Sequence, residues 1–168
     1  MKLVEEIDYQ FDFDKLKEQL PKISSNSIWY RFSGMSIQHR QGIFSPWDLV
    51  DGLESLQLYG NCTEKDFNVV QKTFKNTEFE KVINDFNLVR SRVMLQKGTK
   101  CYSIHSDLTW RLHIPIETDD MCIFYFPDHK EHFHLEKGKI YKVNTTERHT
   151  FVNASNEDRI HFIGCLYK

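Results

Sequence analysis

His105-Ser106-Asp107 sets an imidazole and a carboxylate one residue apart, and a second imidazole, His149, follows far downstream. Side chains alternate along an extended strand, so His105 and Asp107 share a face and can reach one ion together. Two imidazoles and one carboxylate are the protein ligands of a facial iron(II) site, which leaves positions open for a chelating co-reactant and for dioxygen. Beyond His149 comes Arg159, whose planar fork pairs bidentately with a carboxylate in a way that Lys does not reproduce. The chemistry expected of this set is that of an Fe(II) oxygenase using O2 and 2-oxoglutarate as cosubstrate, with Arg159 on the far carboxylate.

The flanking residues strengthen the pattern. In 110–116, Arg111, His113 and Pro115 fall on one face, with Trp110, Leu112, Ile114 and Ile116 on the other. In the last strand-like run, Arg159, His161 and Ile163 oppose Ile160 and Phe162. A solvated strand face would favour Lys, Glu and Thr, whereas His, Asp and Arg suit the lining of a barrel mouth. A competing cluster is His129, His132, His134 and Glu136, which with His149 would make a cupin-like metal site without a 2-oxo acid. His134 and His149 are too close in sequence for the several strands a cupin sets between such ligands.

Composition narrows the class. The 168 residues predict a single domain, and 13 Phe, 7 Tyr and 3 Trp within a 40% hydrophobic chain predict an aromatic-rich folded interior. Lys and Arg number 22 against 24 acidic residues, with no basic run, which argues against a nucleic-acid partner. Cys62, Cys101, Cys122 and Cys165 form no Cys-x-x-Cys pair. Reduced, buried thiols in a cytoplasmic protein are the expectation. Neither a signal peptide nor an apolar membrane span is read, and no motif specifies an oligomeric state.

The elements that must position these side chains follow from periodicity. Ile7, Tyr9, Phe11 and Phe13 alternate as an edge strand, Asp14 caps a helix over 15–20, and Pro21 ends it. A turn at 24–26, a strand over 28–32 and a helix over 47–56 follow, the helix opened by Ser45-Pro46. Thr63 and Thr77 open two further amphipathic helices. From Leu88 onward the chain turns into eight short strand-like runs, at 89–95, 101–107, 110–116, 121–126, 131–135, 140–144, 149–153 and 159–167. A barrel or sandwich over 88–168, supported by strands and helices of 1–87, is the expected architecture. His39 stands apart from any cluster and is expected at the surface.

Three stretches together resemble one family: Tyr102-Ser-Ile-His-Ser-Asp-Leu-Thr-Trp-Arg-Leu-His-Ile-Pro-Ile116, then Arg148-His-Thr-Phe-Val-Asn-Ala-Ser155, then Asp158-Arg-Ile-His-Phe-Ile163. They look like the aspartyl/asparaginyl β-hydroxylase family of iron(II)/2-oxoglutarate-dependent oxygenases. The resemblance implies a mainly β chain with flanking helices, folded as a double-stranded β-helix (a jelly roll, or cupin-like barrel). It implies hydroxylation of an amino-acid side chain, with His105, Asp107 and His149 on iron. By the same resemblance Arg159, helped by His113 and Arg111, would bind 2-oxoglutarate. The family's namesake lacks the carboxylate ligand, whereas Asp107 is present here, as in the free-amino-acid (proline-type) hydroxylases. The partner implied is a small molecule or a peptide.

Overall fold

The computed structural model describes residues 2–20, 33–43 and 62–167. In chain order the strands are β1 (Val4–Ile7), β2 (Gly34–Ser36), β3 (Gln38–His39), β4 (Val69–Val70), β5 (Val89–Gln96), β6 (Lys100–Cys101), β7 (Trp110–Glu117), β8 (Cys122–Phe126), β9 (Glu131–His134), β10 (Ile140–Val143), β11 (Thr150–Asn153) and β12 (Arg159–Leu166). The α-helices described are α1 (Phe13–Glu18) and α2 (Glu78–Asp85). The chain divides into two compact units, Met1–Tyr9 with Leu95–Phe162, and Gln10–Met94 with Ile163–Lys168.

The first unit is the jelly roll. One sheet runs β1-β10-β7-β12 and the other runs β6-β11-β8-β9. Pairing is antiparallel, with Tyr141 opposite His113, Val143 opposite Arg111, and Phe151 opposite Phe124. The alternation in β8 is plain: Cys122, Phe124 and Phe126 are buried while Ile123 and Tyr125 are not. Those inward residues join Leu3, Leu135, Tyr141, Val143 and Phe151 in one core. Burying each such ring contributes about 1.5–3 kcal/mol, and edge-to-face packing of Phe124 on Phe151, 4.8 Å between centroids, adds specificity. Six of the eight residues of β7, from Arg111 to Ile116, are buried, so this strand is covered on both faces and its polar residues are enclosed.

The second unit holds α1, α2, the small β3-β4 pair and the β5-β2 pairing, in which Met35 opposes Val93. The Asp12 side chain caps α1, accepting from the Lys15 N–H at 3.0 Å. The helix therefore starts before the expected Asp14 cap, and the N-terminal strand ends at Ile7 rather than running to Phe13. Thr77 caps α2, whose Phe79, Val82 and Ile83 form the buried stripe read from their spacing. The turn after Thr63 is only a 3-10 segment, Glu64–Asp66, closed by the Thr63 N–H donating to Asp66 Oδ2. Inside this unit Arg90 Nη1 donates to Glu64 Oε1 at 2.8 Å, an ion pair shut from solvent. His39 is buried, not exposed as expected, with Nδ1 against the Arg40 carbonyl at 2.7 Å. The turn at 24–26, the strand over 28–32 and the helix over 47–56 lie outside the described residues.

Candidate metal centre

The polypeptide backbone brings the first two candidate ligands together before any side chain is considered. His105 N–H donates to the His149 carbonyl at 3.0 Å, and His149 N–H donates back to His105 at 2.8 Å. A little further along, the Asp107 N–H donates to the Thr145 carbonyl at 2.7 Å, and Thr145 Oγ1 donates to the Thr109 carbonyl at 2.6 Å. The 105–109 segment is thereby laced to 145–149, and its side chains are delivered to one place.

The expected strand over 101–107 exists only as β6 and as the isolated His105–His149 bridge. Its loss has a local reason. Each imidazole bonds a carbonyl two residues before it: His105 Nδ1 to Ser103 O at 2.7 Å, and His149 Nδ1 to Glu147 O at 2.9 Å. The register also slips by one residue between Cys101 opposite Val152 and His105 opposite His149, which interrupts the ladder there. A carbonyl can only accept, so each ring carries a proton on Nδ1, which leaves Nε2 as the nitrogen that can face a metal. Such a backbone bond is how a metal-bound histidine is normally held in the correct tautomer.

The two rings stand 4.5 Å apart between centroids. His105, Asp107 and His149 each offer a ligand atom, and these lie within 4.8 Å of one another. Among the described residues this is the one group of three or more His, Cys, Asp or Glu so arranged. His105 is exposed, Asp107 half-buried and His149 buried, so the site opens to solvent on one side. Burial holds the His149 pKa below the ordinary imidazole value, against the opposing effects of the Glu147 carbonyl and Asp107. The neutral ring that metal binding requires is therefore the stable form. Two imidazoles and a carboxylate on one open side fit a divalent ion of the iron(II) type.

Arg111 takes a different position from the one expected of a cosubstrate contact. Its Nε lies 3.2 Å from Asp107 Oδ2, and its Nη1 donates to Thr109 Oγ1. A buried guanidinium thus orients the carboxylate of the candidate ligand set. The resemblance set Arg111 beside Arg159 as a 2-oxoglutarate contact; in the structure it meets Asp107 and Thr109.

Arg159 sits deeper, from β12, and is 2% exposed. Its guanidinium lies over the Phe151 ring, 3.4 Å from the centroid, and Nη2 is 2.6 Å from His161 Nδ1. Among the described residues no carboxylate pairs with it. Burial draws its pKa down from the ordinary arginine value to about 10. Phe151 packs on Phe124, and Phe124 stands 6.0 Å from the His149 ring, so three contacts through two phenyl rings lead from the guanidinium to the candidate metal centre. His113 is buried beside Phe124, 5.1 Å between ring centroids, and 5.8 Å from His161.

The rival histidines do not converge. His134 Nδ1 bonds the Cys122 carbonyl at 2.9 Å, and His129 Nε2 pairs with Glu147 at 3.2 Å. The described cysteines are all free thiols, but Cys101 is exposed, against the expectation of burial, because β6 is an edge strand. No described helix is long and apolar enough to cross a membrane.

No family model and no curated protein matches the sequence. Solved structures do resemble it. The viral collagen prolyl hydroxylase vCPH of Paramecium bursaria Chlorella virus-1, in its 2OG complex, has a TM-score of 0.52 at 12% identity, over 99% of this chain and 97% of that one. A 2OG-Fe(II) oxygenase family protein of Burkholderia pseudomallei gives 0.44 at 11% identity, over 79% and 63%. A cupin domain of Bordetella pertussis gives 0.42 at 13%, over 47% and 81%. The chain has the double-stranded β-helix fold.

Proposed function

We propose that the protein is an iron(II)- and 2-oxoglutarate-dependent dioxygenase that hydroxylates an amino-acid side chain, free (as in proline) or within a peptide. The observation that carries this reading is the pairing of two features in one jelly roll. An open His105–Asp107–His149 ligand set is joined through the Phe124 and Phe151 rings to a buried guanidinium, Arg159, that has no carboxylate partner among the described residues. An enclosed cation of this kind is costly unless an anion completes it. A five-carbon dicarboxylate that chelates the metal at one end supplies that anion at the other. The end-to-end fold likeness to a prolyl hydroxylase in a 2OG complex supports the same reading.

When bound, iron(II) and 2-oxoglutarate supply oxygen activation coupled to oxidative decarboxylation, so that one oxygen atom goes to succinate and the other to the substrate hydroxyl. The chain's own part is to hold and orient. The Ser103 and Glu147 carbonyls fix the two Nε2 lone pairs, Arg111 fixes Asp107, and Phe124, Phe126 and Phe151 keep water from the inner wall. A screen of amino acids and short peptides with iron(II), ascorbate and 2-oxoglutarate tests the reading. Succinate with a +16 product is the expected result. No succinate under any condition, substrate-free turnover included, overturns it.

A further inference from the structure

Arg159 and His161 share one face of β12, and both are enclosed. The 2.6 Å contact between Arg159 Nη2 and His161 Nδ1 has only one chemical reading. A guanidinium donates and cannot accept, so Nδ1 is the acceptor and the ring proton belongs on Nε2. His161 is then neutral. The charged and titratable groups around it are Arg159 on its own strand, His113 on β7 and His134 on β9. Its burial and these neighbours all hold its pKa well below the ordinary histidine value, which agrees with the tautomer demanded by geometry. Phe151 closes the arrangement, with its face under the guanidinium and its ring 5.6 Å from the imidazole.

Between them, the ring face and the Nδ1 acceptor remove the freedom of the Arg159 guanidinium to tilt or spin. We propose that His161 is a positioning residue for the 2-oxo acid: its Nδ1 acceptor fixes the rotation of Arg159, so that the guanidinium meets the distal carboxylate as a preset fork. This rests on the oxygenase reading, which supplies the carboxylate. Preorganisation of this kind strengthens binding by removing the ordering cost of the donor.

Nitrogen NMR of the ligand-free chain and calorimetric titration of Mn(II)-loaded protein with 2-oxoglutarate test it together, using His161→Asn and His161→Phe. Asn keeps an acceptor where Nδ1 stood, and Phe keeps a ring of similar shape without one. The expected spectrum is a neutral Nε2–H imidazole. The expected affinities are within about threefold of wild type for the Asn variant and at least about tenfold weaker for Phe, as for one hydrogen bond to a charged group, with Mn(II) affinity equal in all three. A cationic or Nδ1–H imidazole overturns the inference, as does a Phe variant that binds like wild type or an Asn variant as weak as Phe. The spectrum decides even if the Phe variant does not fold. A wild-type chain with the expected tautomer that binds no 2-oxoglutarate strikes first at the oxygenase reading and removes the cosubstrate role with it.

Discussion

His105 and His149 hold each other by the backbone, with reciprocal N–H to carbonyl bonds of 3.0 and 2.8 Å and ring centroids 4.5 Å apart. The candidate metal site is therefore built on a β-bridge rather than on free loops, and its three side chains should tolerate change without loss of the fold. His105→Ala, Asp107→Ala and His149→Ala should each abolish binding of one Mn(II) per chain, read by electron paramagnetic resonance. The two exposed or half-exposed positions should keep near wild-type melting temperatures without metal. Wild type alone should melt higher with metal, by mass action on the folded state.

Arg111→Met should weaken metal binding by about 10–100-fold, the usual effect of losing a residue that orients a ligand. The reason is the 3.2 Å contact of Arg111 Nε with Asp107. If 2-oxoglutarate affinity fell while metal affinity stayed constant, Arg111 would belong to the cosubstrate site instead.

Arg159→Ala should raise the 2-oxoglutarate requirement by about 1.5–3 kcal/mol, the value of a hydrogen bond to a charged group. Metal affinity should be unchanged, because no atom of Arg159 is bonded to the ligand set. Parallel titrations of Mn(II) and 2-oxoglutarate check this, and equal loss of both would make Arg159 a residue of the fold alone.

Acid should weaken the protein through its buried imidazoles. Burial lowers the pKa of both His149 and His161 in the folded chain, so both are neutral there while the unfolded chain protonates near its ordinary value. Their contribution is present above about pH 6.5 and is lost as pH falls below it, because the unfolded state then binds the extra protons. The urea midpoint of the metal-free chain should fall between about pH 7.5 and 5.5, above the range where carboxylates titrate. His161→Asn should flatten that slope. A midpoint that is constant or rises toward acid would contradict the assignment of two neutral buried rings.

His132→Ala and His134→Ala should leave metal binding intact. His134 serves the Cys122 carbonyl, and His132 is exposed on the edge strand β9. Loss of metal in these variants, with Asp107→Ala unaffected, would favour the cupin-like alternative.

The chemistry was more legible in this chain than its backbone. His105, Asp107 and His149 could be grouped because residue type and spacing survive any error in strand boundaries. The partners that orient them could not, because two of those are main-chain carbonyls, of Ser103 and Glu147, which have no sequence signature. Arg111 was visible as a cation but not as the partner of Asp107, since alternation within each run says nothing of contacts across the bend at 108–109 that separates them. Alternation sets His161 on the Arg159 face, two residues along, but it does not give the rotation of the ring, and so does not reveal the Nδ1 contact with the guanidinium. His39 shows the opposite error, a polar residue assigned to solvent that the second unit buries and bonds to its own backbone. The start of α1 was displaced for a plain reason, in that Asp12 and Asp14 are both competent caps and the chain uses Asp12, whereas the Thr77 start of α2 was read correctly.

The most direct measurement is anaerobic absorption spectroscopy of the iron(II)-loaded chain titrated with 2-oxoglutarate. Chelation of a 2-oxo acid by a ferrous ion in this site should produce a weak visible charge-transfer band in wild type, a band needing more 2-oxoglutarate in Arg159→Ala, and none in Asp107→Ala. A chain that binds iron yet shows no band with any 2-oxo acid, or a band that persists without Asp107, would contradict the account.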